Sequence, residues 1–495
     1  MILNLTHKIE ERTVIEFFDR VDIVSNPCEV PLGIDTVVID TETSVRFLTL
    51  VLEQNDGAKL YAWVDNRFFD FQSSDMLCHQ QEALESKNYW VVKDINKLKI
   101  KYNTVFKNSF FDTYPTMLQV ESTSLCNAKC IMCSHYYKDI KEGEHLSFET
   151  SEVLSEVLPY VETVMLHGIG EPFLNPDIIK WLDFYKSYDV HLSTFTNMSI
   201  LTPALLEAIG RSFSALHISC DGCTEKTFEH IRGNLKYATF VKNIKKLRET
   251  YPNLKLHMHT VAMRQNLHEL VGFVSFANEL GFSSLTFSNL TINPLIRNDG
   301  DSLRCFPTMA KRAFAQVENE ATKTGLKVTF PMEYLKYPDD DALYRAEQEK
   351  YDSQVLFKDN SEVLSRAAKQ NNADLYATEE LRVTDIVSSR YQCSGLCDWL
   401  SEYAYFDLKG NLAVCCSKYY ITMGNISDYS NFNALWNSLQ YKAMRECFFR
   451  GEIPSLCQGC RYIVDKTLKN VTLRNYDEDF VKVQGIGTLY EKFSG

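Results

Sequence analysis

The stretch TMLQVESTSLCNAKCIMC, residues 116–133, joins a run of strand-forming residues directly to three cysteines. Its first six residues predict a β-strand. Cys126, Cys130 and Cys133 then follow with the spacing C-x3-C-x2-C. Iron–sulfur clusters are normally held by four thiolates, and structural zinc sites also use four ligands. Because this loop offers three, it predicts a metal site with one coordination position left for another ligand.

An iron–sulfur cube held by three protein thiolates leaves one iron open to a small chelating molecule. The amine and carboxylate of an amino acid form such a chelate, and a cofactor that contains them would bring its own chemistry to the site. His135 follows the third cysteine, but its spacing fits no familiar pattern of zinc ligands. The loop therefore favours an iron–sulfur cluster that binds an exogenous cofactor.

A regular alternation of strand and helix patterns extends from this loop toward the C terminus. Helical patterns, with apolar residues at i, i+3, i+4 and i+7, separate six strand-like runs. Strands that alternate with helices form parallel sheets with right-handed crossovers, and ligands bind where such strands end. We therefore expect an α/β fold, an open or closed barrel. The six runs are 116–121, 161–168, 189–197, 215–221, 254–263 and 283–289.

The region before the barrel, residues 1–112, predicts an α+β domain of unknown role. Residues 44–71 read as two β-rich runs around Asn55-Asp56-Gly57, which is a strong hairpin signal. NYWVVKD, residues 88–94, reads as a further strand. Nothing in this region indicates a chemistry.

The region after the barrel divides in two. Residues 292–390 predict an elaborated connection, with a helix in TMAKRAFAQVENEATKTG and a strand in LKVTFP. Residues 391–495 carry a second group of cysteines. We therefore place the domain boundaries at 112, 291 and 390, with the barrel in residues 113–291.

Composition restricts the function classes. The chain has 495 residues and a formal net charge of −13, which argues against a nucleic-acid binder but permits a basic peptide partner. It shows neither a secretory signal nor an apolar run long enough for a membrane span, so a cytoplasmic location is expected. Fifteen cysteines in a reducing compartment suggest metal where they cluster. Five others are scattered and read as small buried side chains: Cys28, Cys78, Cys220, Cys223 and Cys305.

The cysteine loop and the strand ends together resemble the radical SAM superfamily. CNAKCIMC follows a strand as the family's cysteine loop does, and HGIGEP (167–172) resembles its GEP motif. TFTN (194–197), ISCDG (218–222), HIRGN (230–234) and VAMRQNLHEL (261–270) all follow at or just beyond strand ends. The resemblance implies a partial (β/α)6 barrel and a 4Fe–4S cluster that reductively cleaves S-adenosylmethionine (SAM) to a 5′-deoxyadenosyl radical.

The same resemblance implies roles for individual residues. Glu171, between Gly170 and Pro172, would accept from the SAM amine. Ser219 and Arg232 would hold the SAM carboxylate, for which arginine offers a paired-donor fork. Three further residues would lie near the nucleoside and adenine: Thr196, Asn197 and, through its backbone, Met132.

The C-terminal cysteines resemble the SPASM/twitch extension of radical SAM enzymes. The shared features are Trp399 after the first cysteine, G-x4-C from Gly410, GNI from Gly424, a Trp helix with a following Arg445, and C-x2-C. A zinc ribbon is the alternative. No cysteine follows Cys460, which favours one auxiliary 4Fe–4S cluster. Its expected ligands are Cys397, Cys415, Cys457 and Cys460, with Cys393 and Cys416 as alternatives to the first two.

The outcome of hydrogen abstraction stays open at the level of sequence. Loss of an electron to the auxiliary cluster would give oxidation or a cross-link, and return of a hydrogen from a thiol would give epimerisation. Cys223 and Cys305 are the candidate thiols, although packing is the commoner role for each. Asp221 is a candidate proton acceptor. His257 and His259 share one face of the fifth strand and are candidate bases or substrate contacts.

Two substrate classes compete, and a non-catalytic iron–sulfur or zinc scaffold is a third possibility. Residues 1–112 suit a domain that grasps a precursor peptide by adding it to a sheet edge, and the acidic balance favours a basic peptide. Relatives with a single auxiliary cluster often act on carbohydrates or nucleotides instead. Either activity would need a flavodoxin- or ferredoxin-type electron donor.

Overall fold

The N-terminal region forms a five-stranded sheet of order β2-β1-β3-β4-β5, in which only β4 and β5 pair antiparallel. The computed structural model describes residues 1–7, 13–14, 18, 23–25, 32–133, 144–291, 298–353, 386–387, 391–393, 396–416, 421–457 and 463–465. The elements of this region are β1 (Ile2–Asn4), β2 (Ile23–Ser25), β3 (Thr36–Ile39), α1 (Val45–Gln54), β4 (Lys59–Val64), β5 (Arg67–Asp70), α2 (Asp75–Glu85) and α3 (Tyr89–Val105).

The hairpin predicted around Asn55-Asp56-Gly57 is wrong. The run before it is helix α1, capped by Ser44, whose hydroxyl accepts from the Phe47 amide. Asn55 ends that helix, and Gly57 takes a φ of +81° in the turn that follows. The apolar residues of this run recur at helical spacing, and that periodicity outweighs their β propensity. The true hairpin joins β4 to β5 through Asp65 and Asn66, both at positive φ as tight hairpin turns require.

The strand predicted at NYWVVKD is also wrong, because these residues begin helix α3. The helix buries Val92, Ile95 and Leu98 at i, i+3 and i+6, against the N-terminal sheet. It also reaches the central sheet, since the Lys93 ammonium donates to the carbonyls of Tyr188 (2.9 Å) and Asp189 (2.7 Å). Helix α3 therefore joins the two parts of the chain.

All six predicted barrel strands are confirmed, and each is parallel to the next. LKVTFP adds a seventh, parallel strand at the far edge. The elements are β6 (Met117–Val120), α4 (Ser151–Val157), β7 (Thr163–Leu166), α5 (Ile178–Lys186), β8 (His191–Thr196), α6 (Pro203–Ser212), β9 (Ala215–Ser219), α7 (Glu225–Arg232), α8 (Tyr237–Thr250), β10 (Lys255–Ala262), α9 (Gly272–Glu279), β11 (Ser284–Asn289), α10 (Pro307–Thr324), β12 (Lys327–Thr329) and α11 (Asp341–Ser353).

The C-terminal region continues the same sheet rather than forming a separate one. β15 pairs parallel to β6, and β16 and β17 follow antiparallel, so the sheet order is β12-β11-β10-β9-β8-β7-β6-β15-β16-β17. The elements are β13 (Ile386–Val387), β14 (Tyr391–Cys393), β15 (Tyr403–Phe406), β16 (Asn411–Ala413), β17 (Thr422–Asn425), α12 (Phe432–Trp436), α13 (Leu439–Phe449), β18 (Ile453–Pro454) and β19 (Ile463–Asp465).

The two faces of the central sheet differ in character. One face packs against the helices and carries apolar residues such as Leu118, Val164, Leu216 and Met258, all within one large core cluster. The opposite, inner face is mostly polar. Along each strand these faces alternate, as the two-residue period of a strand requires. Among the described residues, no helix is both long and apolar enough to cross a lipid bilayer.

We expect Lys93→Met to destabilise the chain by about 1 kcal/mol, because it removes the donor to two partly buried carbonyl groups. Burial lowers the pKa of Lys93 to about 8, below its unfolded value. The unfolded chain therefore binds more protons between these two values, so the wild type should gain stability relative to the variant as pH rises above 8. Chemical denaturation at several pH values measures both effects.

Lys99→Met is the matched control, because Lys99 on the same helix pairs with the half-exposed Asp112 and such pairs contribute little. A variant at Lys93 that unfolds at the same denaturant concentration as this control would contradict the role of Lys93 in docking α3.

Candidate active site

The first cysteine loop lies at the C-terminal ends of the parallel strands, against the end of α7. The Lys129 amide donates to the carbonyls of Arg232 and Gly233, and the Ile131 amide donates to Ile231. Gly233 has a φ of +38°, and a Cβ there would lie 2.5 Å from the Lys129 carbonyl oxygen. The close approach of the two backbones therefore requires glycine at this position.

The loop thiols lie in a poorly solvated setting. Cys130 is buried, and burial raises its pKa to about 12; burial also raises the pKa of Cys126 to about 11. One guanidinium nitrogen of Arg232, Nη1, lies 3.7 Å from the Cys130 sulfur. Thiols with raised pKa values become thiolate ligands when a metal displaces their protons. Among the described residues, no three His, Cys, Asp or Glu side chains converge as ligands of a single ion. Three cysteines in one loop, with a guanidinium beside Cys130, fit the thiolate ligands of an iron–sulfur cluster.

The GEP motif lies directly beside the cysteine loop. The Glu171 amide donates to the Leu125 carbonyl, and a Cβ on Gly170 would lie 2.3 Å from the Thr123 carbonyl oxygen. The buried Glu171 carboxylate accepts from the Thr196 hydroxyl and from the Asn197 amide, both at 2.7 Å. Burial raises the pKa of Glu171 to about 7, and these donors oppose the rise.

Four of the predicted cofactor residues are thus brought together at adjacent strand ends: Gly170, Glu171, Thr196 and Asn197. Pro172 follows, buried, at the start of a short 3-10 turn, and Met132 lies in the cysteine loop. Asn127 was missed by the sequence analysis. Its side chain accepts from Asn197 (3.0 Å) and donates to the Ser199 hydroxyl (2.8 Å), so it ties the cysteine loop to the third strand. The only sequence feature that marked Asn127 was its position between Cys126 and Cys130.

Asp221 and Arg232 form a buried ion pair. The Arg232 Nε lies 2.6 Å from one carboxylate oxygen, and the Val261 amide donates to the other at 2.7 Å. Burial raises the pKa of Asp221, and the guanidinium and the amide oppose that rise. These contacts favour a positioning role for Asp221, which orients Arg232 toward the cysteine loop. Ser219, the other predicted carboxylate contact, ends β9 on the inner face and is half-buried.

The two candidate thiols lie away from the inner face. Cys223 donates from its amide to Glu269 (2.9 Å), and its sulfur lies 3.4 Å from the same carboxylate. It packs, with Cys305, against the core cluster on the helix side of the sheet. Burial and Glu269 raise the pKa of Cys223 to about 12. Cys220 is buried in the same core, as its alternation on the strand predicts.

Histidines and one phenylalanine line the inner face below the predicted cofactor residues. Strand register places Phe195, His217, His257 and Ser284 in one transverse row, and His259 pairs with Ser219 in the next. His217 Nδ1 lies 3.0 Å from His259 Nε2, and His257 Nδ1 lies 2.7 Å from the Ser284 hydroxyl. His167, at the end of β7, packs on Phe195.

Burial lowers the pKa of all four histidines, to about 4 for His167 and His257 and about 3 for His217. The pKa of His259 is also well below its usual value, since burial and its neighbouring imidazoles both disfavour a charge. The inner face therefore holds neutral imidazoles at pH 7, which accept or donate hydrogen bonds. His257 and His259 were predicted from the sequence, whereas His167 and His217 were not, although their positions on strands were an available signal.

The auxiliary cysteines lie at the opposite ends of the parallel strands, where those strands begin. Cys397 precedes β15, which runs parallel to β6, whereas Cys415 follows β16, which runs antiparallel. Both therefore lie near the edge where β6 begins. Cys397, Cys415, Cys416 and Cys457 are half-buried, and Cys397, Cys415 and Cys457 pack against the same core. Cys460, His135 and the side chain of Cys393 lie outside the described residues, so the choices among these ligands stay predictions.

Comparison with known proteins agrees with both cysteine sites. Residues 120–277 match the Radical SAM superfamily profile, and residues 397–461 match SPASM, an iron–sulfur cluster-binding domain. Residues 120–277 therefore form a radical SAM domain, and residues 397–461 form a SPASM-type domain. The chain's cofactors are a 4Fe–4S cluster, an auxiliary cluster and SAM. The fold prediction is confirmed, as a mixed α/β structure with a large parallel sheet.

Individual relatives are distant. Mycofactocin maturase MftC of Mycobacterium tuberculosis is 24% identical over 169 residues, which cover 34% of this chain and 43% of MftC. A probable GTP 3′,8-cyclase of Pyrococcus horikoshii is 30% identical over 173 residues, 33% of this chain and 53% of the cyclase. The chain thus spans about half the length of these relatives. Streptococcus suis SuiB, solved with precursor peptide SuiA, is 14% identical at a TM-score of 0.46 over 72% of both chains.

Replacing Cys126, Cys130 and Cys133 together by Ala should abolish 5′-deoxyadenosine formation from SAM and reductant, because the first cluster loses its protein ligands. Iron in the anaerobically purified radical SAM protein should fall from about eight to about four atoms per chain. Cys78→Ala, which changes an exposed cysteine of α2, is the control. Continued SAM cleavage by the triple variant would refute the assignment.

Asp221→Asn should weaken SAM binding to the reconstituted protein by more than tenfold, because it leaves the buried Arg232 charge without its partner. Isothermal titration calorimetry measures the dissociation constant. Asp183→Asn is the matched control, since it breaks the surface pair with Arg211 (2.8 Å), worth about 0–1 kcal/mol. Equal SAM affinity in the two variants would exclude the positioning role of Asp221.

Proposed function

We propose that this chain is a radical SAM oxidoreductase that modifies a peptide by oxidation or cross-linking, with the substrate bound against the inner face of the sheet. The observation that carries the proposal is the position of this face. It lies between the two cysteine sites, which are at opposite ends of the parallel strands of one continuous sheet. When bound, SAM and its cluster supply a 5′-deoxyadenosyl radical, and the auxiliary cluster supplies an electron acceptor.

The residues of the inner face favour oxidation over epimerisation. Oxidation of a carbon radical releases a proton as well as an electron. The lowered pKa values make the imidazoles of this face hydrogen-bond partners for the substrate rather than bases, so the proton must pass to solvent or to another group. His259 shares the register row of Ser219, a predicted SAM contact, and its partner His217 lies one row further along the inner face. Epimerisation needs a hydrogen donor, usually a thiol, and the described inner-face positions of β6–β12 and β15 carry no cysteine. The candidates Cys223 and Cys305 pack on the helix side.

The peptide is favoured over other substrates by two features of the chain. Residues 1–112 add a sheet with its own core. Among the described strands, its edge strand β5 pairs only with β4, so its other side is available for a peptide strand. The net charge of −13 suits a basic partner. MftC is named a maturase, whereas the GTP cyclase relative supports the alternative of a nucleotide or carbohydrate substrate. The cytoplasmic location and the flavodoxin- or ferredoxin-type donor stay predictions.

The test is anaerobic turnover with short peptides encoded beside the gene, compared with a panel of sugar nucleotides. A peptide should raise 5′-deoxyadenosine formation above the substrate-free rate and yield a product two hydrogen atoms lighter. In deuterated water, a product of unchanged composition that gains one deuterium would show epimerisation and contradict the proposal. Stimulation by sugar nucleotides alone would favour the alternative substrate.

His259→Phe should suppress the oxidised product while SAM cleavage without substrate continues, because the variant removes a polar hydrogen-bonding group of the inner face without touching the cysteine loop. His191→Phe is the control, since His191 is exposed at the start of β8. Equal product yields from the two variants would remove the imidazoles from the reaction.

A further inference from the structure

Arg445 on α13 is a completely buried cation in the SPASM-type region. Its Nε donates to the Leu400 carbonyl at 2.7 Å, and its Nη1 donates to the Ser109 carbonyl and to the Asn437 side-chain oxygen, both at 3.1 Å. The guanidinium also lies over the rings of Phe111, Trp436 and Tyr441, at 4.3, 5.1 and 5.5 Å from their centroids.

This charge lacks a counter-charge among the residues that the structure describes. No carboxylate in that part of the chain lies within ion-pair distance of Arg445, and its Nη2 is buried without a hydrogen-bond acceptor. Burial lowers the pKa of Arg445 to about 9, so the side chain still carries its proton at pH 7. An uncompensated buried charge costs several kcal/mol. Some nearby anion is therefore required to account for its presence.

Arg445 contacts the loop that carries Cys397, a predicted ligand of the auxiliary cluster. Arg445 donates to the carbonyl of Leu400, and the Leu400 amide donates to the carbonyl of Cys397 at 2.8 Å. Two hydrogen bonds thus connect the guanidinium to a predicted cluster ligand. A cluster with four thiolates is anionic, and it gains a further negative charge when one electron reduces it. Charge and hydrogen bonds around a cluster set its reduction potential.

We propose that Arg445 is the counter-charge of the auxiliary cluster and raises its reduction potential, so that the cluster accepts an electron more readily. This goes beyond the proposed reaction, because it holds for any substrate. It rests on the assignment of Cys397 as a cluster ligand. Arg445 is a positioning residue in this sense, since it touches the ligand loop and not the substrate.

Two substitutions separate charge from packing. Arg445→Met removes the charge and keeps an apolar stem of similar length. Asn437→Asp places a carboxylate beside the guanidinium, because the Asn437 side-chain oxygen already accepts from Arg445 and from the Phe111 amide (2.7 Å). It also removes the Asn437 amide donor to the Phe111 carbonyl (2.7 Å), so its potential is compared only in protein that retains its iron and its unfolding midpoint. Arg445→Lys keeps the charge and loses part of the hydrogen bonding.

The measurement is a redox titration of the auxiliary cluster followed by electron paramagnetic resonance. It uses the full chain with Cys126, Cys130 and Cys133 replaced by Ala, so that the auxiliary cluster alone gives a signal. Arg445→Met and Asn437→Asp should each lower the reduction equilibrium constant by at least tenfold, which is 59 mV for a one-electron couple. Arg445→Lys should shift it by less than half of that.

The possible outcomes separate an electrostatic role of Arg445 from a packing role. An unchanged potential in Arg445→Met or in Asn437→Asp, with the cluster retained, overturns the proposal. Loss of cluster iron in Arg445→Met but not in Arg445→Lys supports it, because the positive charge is then needed for binding. Loss in both, with an unshifted Asn437→Asp, assigns Arg445 to packing alone. A parent chain without iron would instead refute the ligand assignment.

Discussion

The parallel pairing of β15 with β6 determines how the two cysteine sites lie with respect to each other. Tyr403 pairs with Met117 and Phe406 with Val120, and the Thr116 and Met117 amides both donate to the Glu402 carbonyl. Because β6 and β15 run in the same direction, the first cysteine loop, which follows β6, and Cys397, which precedes β15, lie at opposite ends of these strands. Along the strand direction, β6 and its flanking residues separate the two cysteine sites by roughly 15–20 Å. A chain that paired these strands antiparallel would bring both sites to one edge and leave no room for a substrate between them.

The inner face of the sheet changes from apolar near the auxiliary cysteines to polar near the first cysteine loop. Near the auxiliary edge, Met117, Met165, Tyr403 and Trp399 form a small apolar cluster. Nearer the SAM edge, the inner face becomes polar, with imidazoles that burial keeps neutral. Burying four imidazoles is unfavourable for folding, because each has two polar ring atoms to satisfy. Such clusters of perturbed titratable groups occur most often where chemistry takes place. The gradient therefore points to the polar half as the place for the reacting carbon.

The sequence predicted the central fold well, because its signals are local. Each barrel strand is a short apolar run that ends in a motif, and alternation along β9 placed Cys220 in the core correctly. The errors in the N-terminal region came from β-branched and aromatic residues, which mimic strands in α1 and α3 when the helical period is overlooked. Contacts between distant segments were beyond reach. Nothing near Asp221 reveals that Arg232 pairs with it, and nothing near Arg445 shows that Ser109, some 336 positions away, accepts its hydrogen bond.

The two buried arginines give the two cluster sites different electrostatic surroundings. Arg232, beside the SAM-cluster loop, is neutralised by Asp221 at 2.6 Å, so the pair adds little net charge there. Arg445, beside the auxiliary loop, has no such carboxylate among the described residues. A cluster in neutral surroundings holds its extra electron less tightly than one beside a cation. An enzyme that oxidises its substrate needs that order, because one site must give an electron away and the other must receive one. In the role proposed for Arg445, the difference between the two sites comes from Asp221, which pairs with Arg232 and has no counterpart beside Arg445 among the described residues.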